Sequence, residues 1–267
     1  IEVDAFSRTC VASIYAVGYL KPYRKKGMPL GSHHFFLGLL CASMILLVTV
    51  RHALFFLIVW EAMSLSSCFC VVFEHDDAET LNAGIFYAVA MHIGVALLAA
   101  AFILLSNKTG SYDFSSFGSV LSRHDAFSGL VFALFFAGFG IKAGFVPLHT
   151  WLPKAHPAAP SHVSALMSGV MIKTGIYGII RVVMIGGIPS VTLSVTMIVI
   201  ASVSAVYGIM NALSCRDIKE LLAYSSIENM GIIGMGLGFG MLGLSTGNGP
   251  AAFLGFAGAL FHTLNHS

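Results

Sequence analysis

The sequence predicts an all-α, polytopic transmembrane helical bundle, and three observations carry that prediction. Hydrophobic residues make up 57% of the chain and charged ones only 10%, with a mean hydropathy of +0.87, which leaves too little polar surface to cover a soluble globule. Windows of roughly 20 apolar residues, the length that crosses a bilayer core, recur between short polar breaks. A few ionisable residues lie deep inside those windows, where a soluble or purely lipid-facing helix has no use for them.

Taken in order, the windows fall at 35–50, 53–73, 82–105, 127–146, 161–185, 191–213, 221–243 and from 250 onward. A partial ninth covers 3–20; Arg8 interrupts it, and it is short for a crossing. The expectation is about eight or nine spans in a single transmembrane domain over residues 1–267. The chain reads as a fragment truncated at both ends, since it has no initiating Met and its last window runs into FHTLNHS without a cap or turn signal.

Alternating the spans divides the basic residues between two faces. One face takes Lys21, Arg24, Lys25, Lys26, Lys154, Arg216 and Lys219, the other Arg51, Lys108, Arg123 and Arg181. The positive-inside rule places the first face in the cytoplasm, and the acidic loop EHDDAE at Glu74–Glu79 weighs little against it. A prokaryotic inner membrane is the expected location. The net charge of +2 and the lone dense basic run, KPYRKK at Lys21–Lys26, exclude a nucleic-acid partner and fit a juxtamembrane segment. The five cysteines form no CxxC pair with metal spacing, and Cys68 and Cys70 point to different sides of a helix. They read as small apolar packing residues, so no metal or cofactor is expected in this chain.

A charge near the bilayer centre costs about 2.5–3.5 kcal/mol on insertion scales and normally faces a polar interior, a partner or water. Glu61 lies about 3 Å from the midpoint of 53–73, Lys173 at the middle of 161–185, and Lys142 about 8 Å past the middle of 127–146. Gly138, Gly140, Gly144 and Pro147 surround Lys142, so its helix is expected to break there and free backbone groups toward a wet cavity. Pairing Glu61 with Lys142 would lower the cost of burying both. A lysine whose counter-charge moves away in low dielectric tends to release its proton, which links electrostatics to proton transfer. The plain alternative is a structural ion pair that fixes helix registry.

Histidines extend the series of proton carriers: His92 in the third window, His149, His156 and His162 around the helix break, and His262 and His266 in the last window. Glu228, about 10 Å inside its span, either joins the relay or snorkels. GMGLGFG at Gly234–Gly240 has no preceding strand and reads as small-residue helix packing instead of a nucleotide loop. Ser161 and His162 lack the nucleophile elbow of a hydrolase triad.

At VWEAMSLSS around Glu61, GIKAGFVPLHTWLPKAHPAAPSHVSALMSGVMIKTGIYG around Lys142 and Lys173, RDIKELLAYSSIENMG from Arg216, and the terminal FHTLNHS, the chain resembles a known family. This is the antiporter-like, proton-pumping membrane subunits shared by respiratory complex I, multi-subunit cation/proton antiporters and membrane-bound hydrogenases. LPKAHPAAPSHVSALMSG and AYSSIENMG resemble the hydrogenase and formate hydrogenlyase branch in particular. The resemblance implies an antiporter-like fold with inverted five-helix repeats. It gives Glu61 the place of the fifth-helix glutamate, Lys142 that of its paired lysine in the broken seventh helix, and Lys173 that of the central lysine of the eighth. His262 would line the onward link. The family's eleventh-helix lysine and twelfth-helix outlet would fall beyond Ser267. Two departures accompany this: Asp4–Tyr19 is shorter than the family's third helix, and its first two helices have no counterpart.

The resemblance implies a proton-translocating, non-catalytic subunit of a redox-driven complex, of the hydrogenase, formate hydrogenlyase or NADH:quinone oxidoreductase type. Protons would move along a buried Glu-Lys-Lys-His axis. Iron–sulfur clusters and a hydrogenase-type metal site would belong to partner subunits, which would comprise further membrane subunits and a soluble redox arm in the same bilayer assembly. The alternatives are a subunit of a Na+/H+ or K+/H+ antiporter without redox chemistry, and a membrane anchor that does not pump.

Overall fold

The computed structural model describes residues 30–123, 125–187 and 189–267; the partial window 3–20, Arg8, Cys10 and the basic run 21–26 lie outside them. The described residues fold into helices α1 (Leu30–Thr49), α2 (Ala53–Val71), α3 (Ala78–Thr109), α4 (Phe114–Leu121), α5 (Ala126–Ala143), α6 (Leu152–Ala158), α7 (Ser161–Leu166), α8 (Lys173–Gly186), α9 (Val191–Ala212), α10 (Ile218–Ser245) and α11 (Gly249–Asn265). A 3-10 turn, Val72–Glu74, follows α2, and a π turn, Met167–Met171, joins α7 to α8. Among the described residues, seven segments are long and apolar enough to cross a membrane. The window from 250 onward becomes α11, a helix of 17 residues.

Side chains with an oxygen set where the spans begin. Asp77, Asp125, Ser190, Asp217 and Asn248 accept from backbone N–H groups in the first turns of α3, α5, α9, α10 and α11, satisfying donors that have no partner inside the helix. The amides and hydroxyls they engage hold two of these carboxyls below the ordinary range: Asp77 through the side chain and backbone of Thr80, and Asp125 chiefly through the backbone of Ser128.

The outer surface is apolar where lipid meets it. Ile58, Val89, Val199, Val206, Phe253 and Phe261 are all exposed. Inside, Trp60, Trp151, Tyr87, Phe139 and Lys142 are nearly inaccessible. The GMGLGFG run packs α10 against its neighbours as a small-residue face. Gly234 meets Ala201 and Phe145, Gly238 meets Ile198, Gly236 meets Ala259 and Gly240 meets the ring of Phe256, leaving no room for a Cβ.

One element lay unread in the polar break after the third window. The amphipathic helix α4 buries Phe114, Phe117, Val120 and Leu121. It is held at that end of the bundle by the backbone bonds from Ala53 N to Tyr112 O and from Phe114 N to Arg51 O. The guanidinium of Arg181 lies 4.6 Å from the centroid of the Phe114 ring. Arg51 and Arg181 therefore share one end of the bundle, as their assignment to one face requires.

Candidate functional site

The helix break stands where the glycines and proline place it. Gly144, at φ 80°, ends α5 directly after Ala143, and its N–H and that of Phe145 both donate to Gly140 O. Pro147 has no N–H to continue the helix. Protein donors and acceptors lie close to the break. Trp151 Nε1 donates to Ile141 O at 2.7 Å, and Val146 N donates to Ser204 Oγ at 2.9 Å. The Trp151 ring packs 5.0 Å from that of Tyr87.

This arrangement encloses Lys142, which is 1% exposed. Its Nζ lies 3.2 Å from Tyr87 Oη, 3.4 Å from Ser64 Oγ and 3.4 Å from Met91 Sδ. All three are neutral groups. The expected contact between Glu61 and Lys142 is absent among the described ion pairs, since Glu61 Oε1 sits 2.9 Å from His92 Nε2 on the outer side of α2 and α3. Glu61 remains within electrostatic reach of Lys142. The Glu61–His92 contact fixes a proton: His92 Nδ1 lies 2.8 Å from the Ala88 carbonyl, which only accepts, so that nitrogen carries hydrogen. Nε2 and the carboxylate then hold a further proton between them.

Lys173 is built differently. In the π turn, Ile172 N donates to Met167 O, five residues back, which leaves the Ser168 carbonyl to accept from Lys173 Nζ. Lys173 Nζ also lies 2.8 Å from His266 Nδ1. Ser168 Oγ meets Ser226 Oγ of α10 at 2.8 Å. His156 is buried, with Nδ1 at 2.6 Å from Ser164 Oγ, and lies within electrostatic reach of both Lys173 and Lys219. Lys219 closes the end of α6 by donating to Pro157 O and Ala159 O.

The remaining sequence candidates have contacts of their own. His262 Nε2 bonds Asn229 Oδ1 at 2.9 Å, one helical turn before the imidazole that meets Lys173. His149 is buried beside Tyr207, with ring centroids 4.7 Å apart, and His162 bonds His33 of α1. Glu228 is half-buried where α10 crosses Gly208 of α9. Sequence reasoning counted His156 and His266 among the histidines of the series but left His33, Tyr87 and Ser168 without roles. The i+4 spacing of His266 from His262 puts both on one side of α11; for Tyr87 and Ser168 no local signal exists.

Comparison with known proteins agrees with this architecture. The family described as NADH:quinone oxidoreductase/Mrp antiporter, TM, matches residues 51–266. The chain is 44% identical over 261 residues to hydrogenase-4 component B of Escherichia coli (strain K12), covering 96% of this chain and 38% of that protein. It is 32% identical over 231 residues to formate hydrogenlyase subunit 3 of the same strain, covering 86% of this chain and 37% of the relative. It therefore spans under two fifths of either. Among solved structures, a chain of the membrane-bound sulfane sulfur reductase, an archaeal respiratory membrane complex, superposes with a TM-score of 0.79 at 22% identity, covering 90% of this chain and 47% of that one. This multi-pass membrane chain, with its buried lysines at a broken helix and at a π turn, belongs to the NADH:quinone oxidoreductase/Mrp antiporter membrane-subunit family.

Proposed function

We propose that this chain is part of a proton-translocating membrane subunit of a redox-driven complex of the hydrogenase or formate hydrogenlyase type. The observation that carries the reading is Lys142, 1% exposed and solvated by two hydroxyls and a thioether, with the carboxylate of Glu61 held nearby on His92. An ammonium kept without a contacting counter-ion responds to any change in the position of the nearest acid. Transfer of Glu61 between His92 and Lys142 would change how firmly the lysine holds its proton. Lys173, bonded to His266 and close to His156, supplies the second station, and His262, His149, His162 and Glu228 flank the route. The redox centres, iron–sulfur clusters and a hydrogenase-type metal site, belong on this reading to partner subunits, and the basic face of Lys154, Arg216 and Lys219 to the cytoplasm of a prokaryotic cell.

The test is acidification of inverted membrane vesicles that hold the full-length protein in its complex, driven by the electron donor of that complex. Lys142→Met and Lys173→Met are each expected to abolish acidification while the complex still assembles. Wild-type acidification in both variants would leave the lysines as structural charges and the chain as an anchor. Proton movement driven by an imposed Na+ or K+ gradient, with no donor present, would assign the same residues to an antiporter.

A further inference from the structure

Five buried side-chain atoms lack a hydrogen-bond partner among the described residues: His33 Nδ1, Glu61 Oε2, His149 Nδ1, His156 Nε2 and His162 Nδ1. Buried polar atoms are normally paired with protein or ordered water. That all five belong to imidazoles or a carboxylate marks them as places where water or a proton arrives. Two of them sit at opposite ends of one pair.

His33, in the first turn of α1, and His162, in the first turn of α7, face each other with their Nε2 atoms 2.7 Å apart and their rings at 82°. They are 2% and 6% exposed. A contact of that length requires one hydrogen between two ring nitrogens, so one ring is Nε2-protonated and the other presents a bare Nε2. Each neutral imidazole carries a single N–H. The donating ring therefore has a bare Nδ1 and the accepting ring an Nδ1–H, and neither nitrogen has a hydrogen-bond partner among the described residues. This is a two-ring wire with an acceptor at one end and a donor at the other.

Its position gives it a destination. His162 stands two residues before Ser164, whose hydroxyl holds His156, and His156 lies within electrostatic reach of Lys173. His33 packs on Phe73, just past the end of α2, at 4.2 Å between ring centroids. The pair thus lies at the same end of the bundle as the carbonyls of Pro157 and Ala159 that Lys219 closes.

We infer that His33 and His162 form a proton relay that loads the His156–Lys173 cluster from the Lys154, Arg216 and Lys219 end of the bundle; the inference rests on the function proposed above. In one passage a proton binds the bare Nδ1 of the first ring. The hydrogen on its Nε2 crosses to the Nε2 of the second ring, whose Nδ1 then releases its proton inward. One proton enters and one leaves, no electron moves, and both rings end neutral with exchanged tautomers, which rotation of the rings resets. A packing contact between α1 and α7 would need none of this polarity and would tolerate an amide in place of either ring.

The test uses the full-length protein in its complex, in inverted vesicles, with rates of donor-driven acidification taken per assembled complex. His33→Gln and His162→Gln keep a hydrogen-bonding side chain but cannot pass a proton through a ring. Each is expected to slow acidification by about a hundredfold or more, the low end of what a positioned acid–base group contributes, and imidazole added to the medium is expected to restore part of the rate. Wild-type rates in both variants, alongside an inactive Lys173→Met, would overturn the relay and leave the proposed function intact. A loss that imidazole does not relieve would also overturn it, assigning the pair to packing. Normal acidification in Lys173→Met would instead remove the proposed function on which the relay rests.

Discussion

Lys142 and Lys173 look alike in the sequence, each a lone cation in an apolar run, yet the fold anchors them by opposite means. Lys142 ends a helix that a left-handed glycine closes, and its contacts are loose ones of 3.2–3.4 Å to neutral side chains drawn from α2 and α3. Lys173 opens a helix after a π turn and is gripped by a carbonyl of its own turn and by His266, an imidazole of α11. Bonds from either ammonium are charge-assisted, but hydrogen bonds weaken with length, so the imidazole contact at 2.8 Å tethers Lys173 more firmly than contacts of 3.2–3.4 Å hold Lys142. On the function proposed above, the difference assigns one lysine to sensing a charge and the other to handing a proton on.

The sharpest way to break this comparison is to remove the tether. His266→Leu deletes an imidazole that bonds Lys173, and it is expected to reduce donor-driven acidification nearly as far as Lys173→Met does. Ser64→Ala, which removes one of the three contacts of Lys142, should stay within about tenfold of wild type, since a contact as long as 3.4 Å is worth no more than the low end for a bond to a charged group, about 1.5 kcal/mol. Equal effects from the two substitutions in the vesicle assay would mean that the lysines are held alike.

A second comparison concerns the acid. Glu61→Gln abolishes the charge that reaches Lys142 and the proton shared with His92. A slowing by about tenfold is expected, equivalent to a coupling of about 1.4 kcal/mol between the two positions. Glu61→Asp, which keeps the charge, is expected to retain most of the rate. A loss in Glu61→Asp as large as in Glu61→Gln would show that the charge of Glu61 is not what Lys142 responds to, and the sensing role would fall.

These contrasts also show what the sequence makes legible. Span positions and the helix break follow from apolar run length and from Gly144 and Pro147, which act locally and can be read locally. The deep placement of Lys142 and Lys173 follows from the same counting. The partner choice of Glu61 does not, because it depends on how α2 and α3 rotate about their axes, and a rotation of one residue position moves a side chain by about 100°. The π turn before Lys173 was equally hidden: MSGVM holds no residue that demands it, and only the packing of Gly175 against the backbone of Phe139 and Ala143 shows how closely the next turn must approach α5. Long-range pairs such as His33–His162 and Lys173–His266 join residues 129 and 93 positions apart, a separation that no local pattern encodes.

The smallest expected effect separates the two lysine helices by how they begin. Helix α5, which carries Lys142, starts on the exposed Asp125, whose carboxyl accepts from Ser128 N at 2.8 Å and is thereby held below the ordinary carboxylate range. Helix α8, which carries Lys173, continues from the π turn and begins without a side-chain cap. Because the folded-state value for Asp125 is depressed, its stabilisation is complete above the unfolded Asp value of about 3.9 and is lost as the pH falls through the lower folded value. Lowering the pH should therefore reduce the protection of the Ser128 amide, its exchange taken relative to the intrinsic rate at each pH. Exchange in the first turn of α8 should not follow it. Asp125→Asn, which still caps but does not titrate, should remove the acid response of Ser128. If that amide keeps its pH dependence in the Asn variant, the start of α5 is governed by some other group, and the two helices do not differ in the way their first turns indicate.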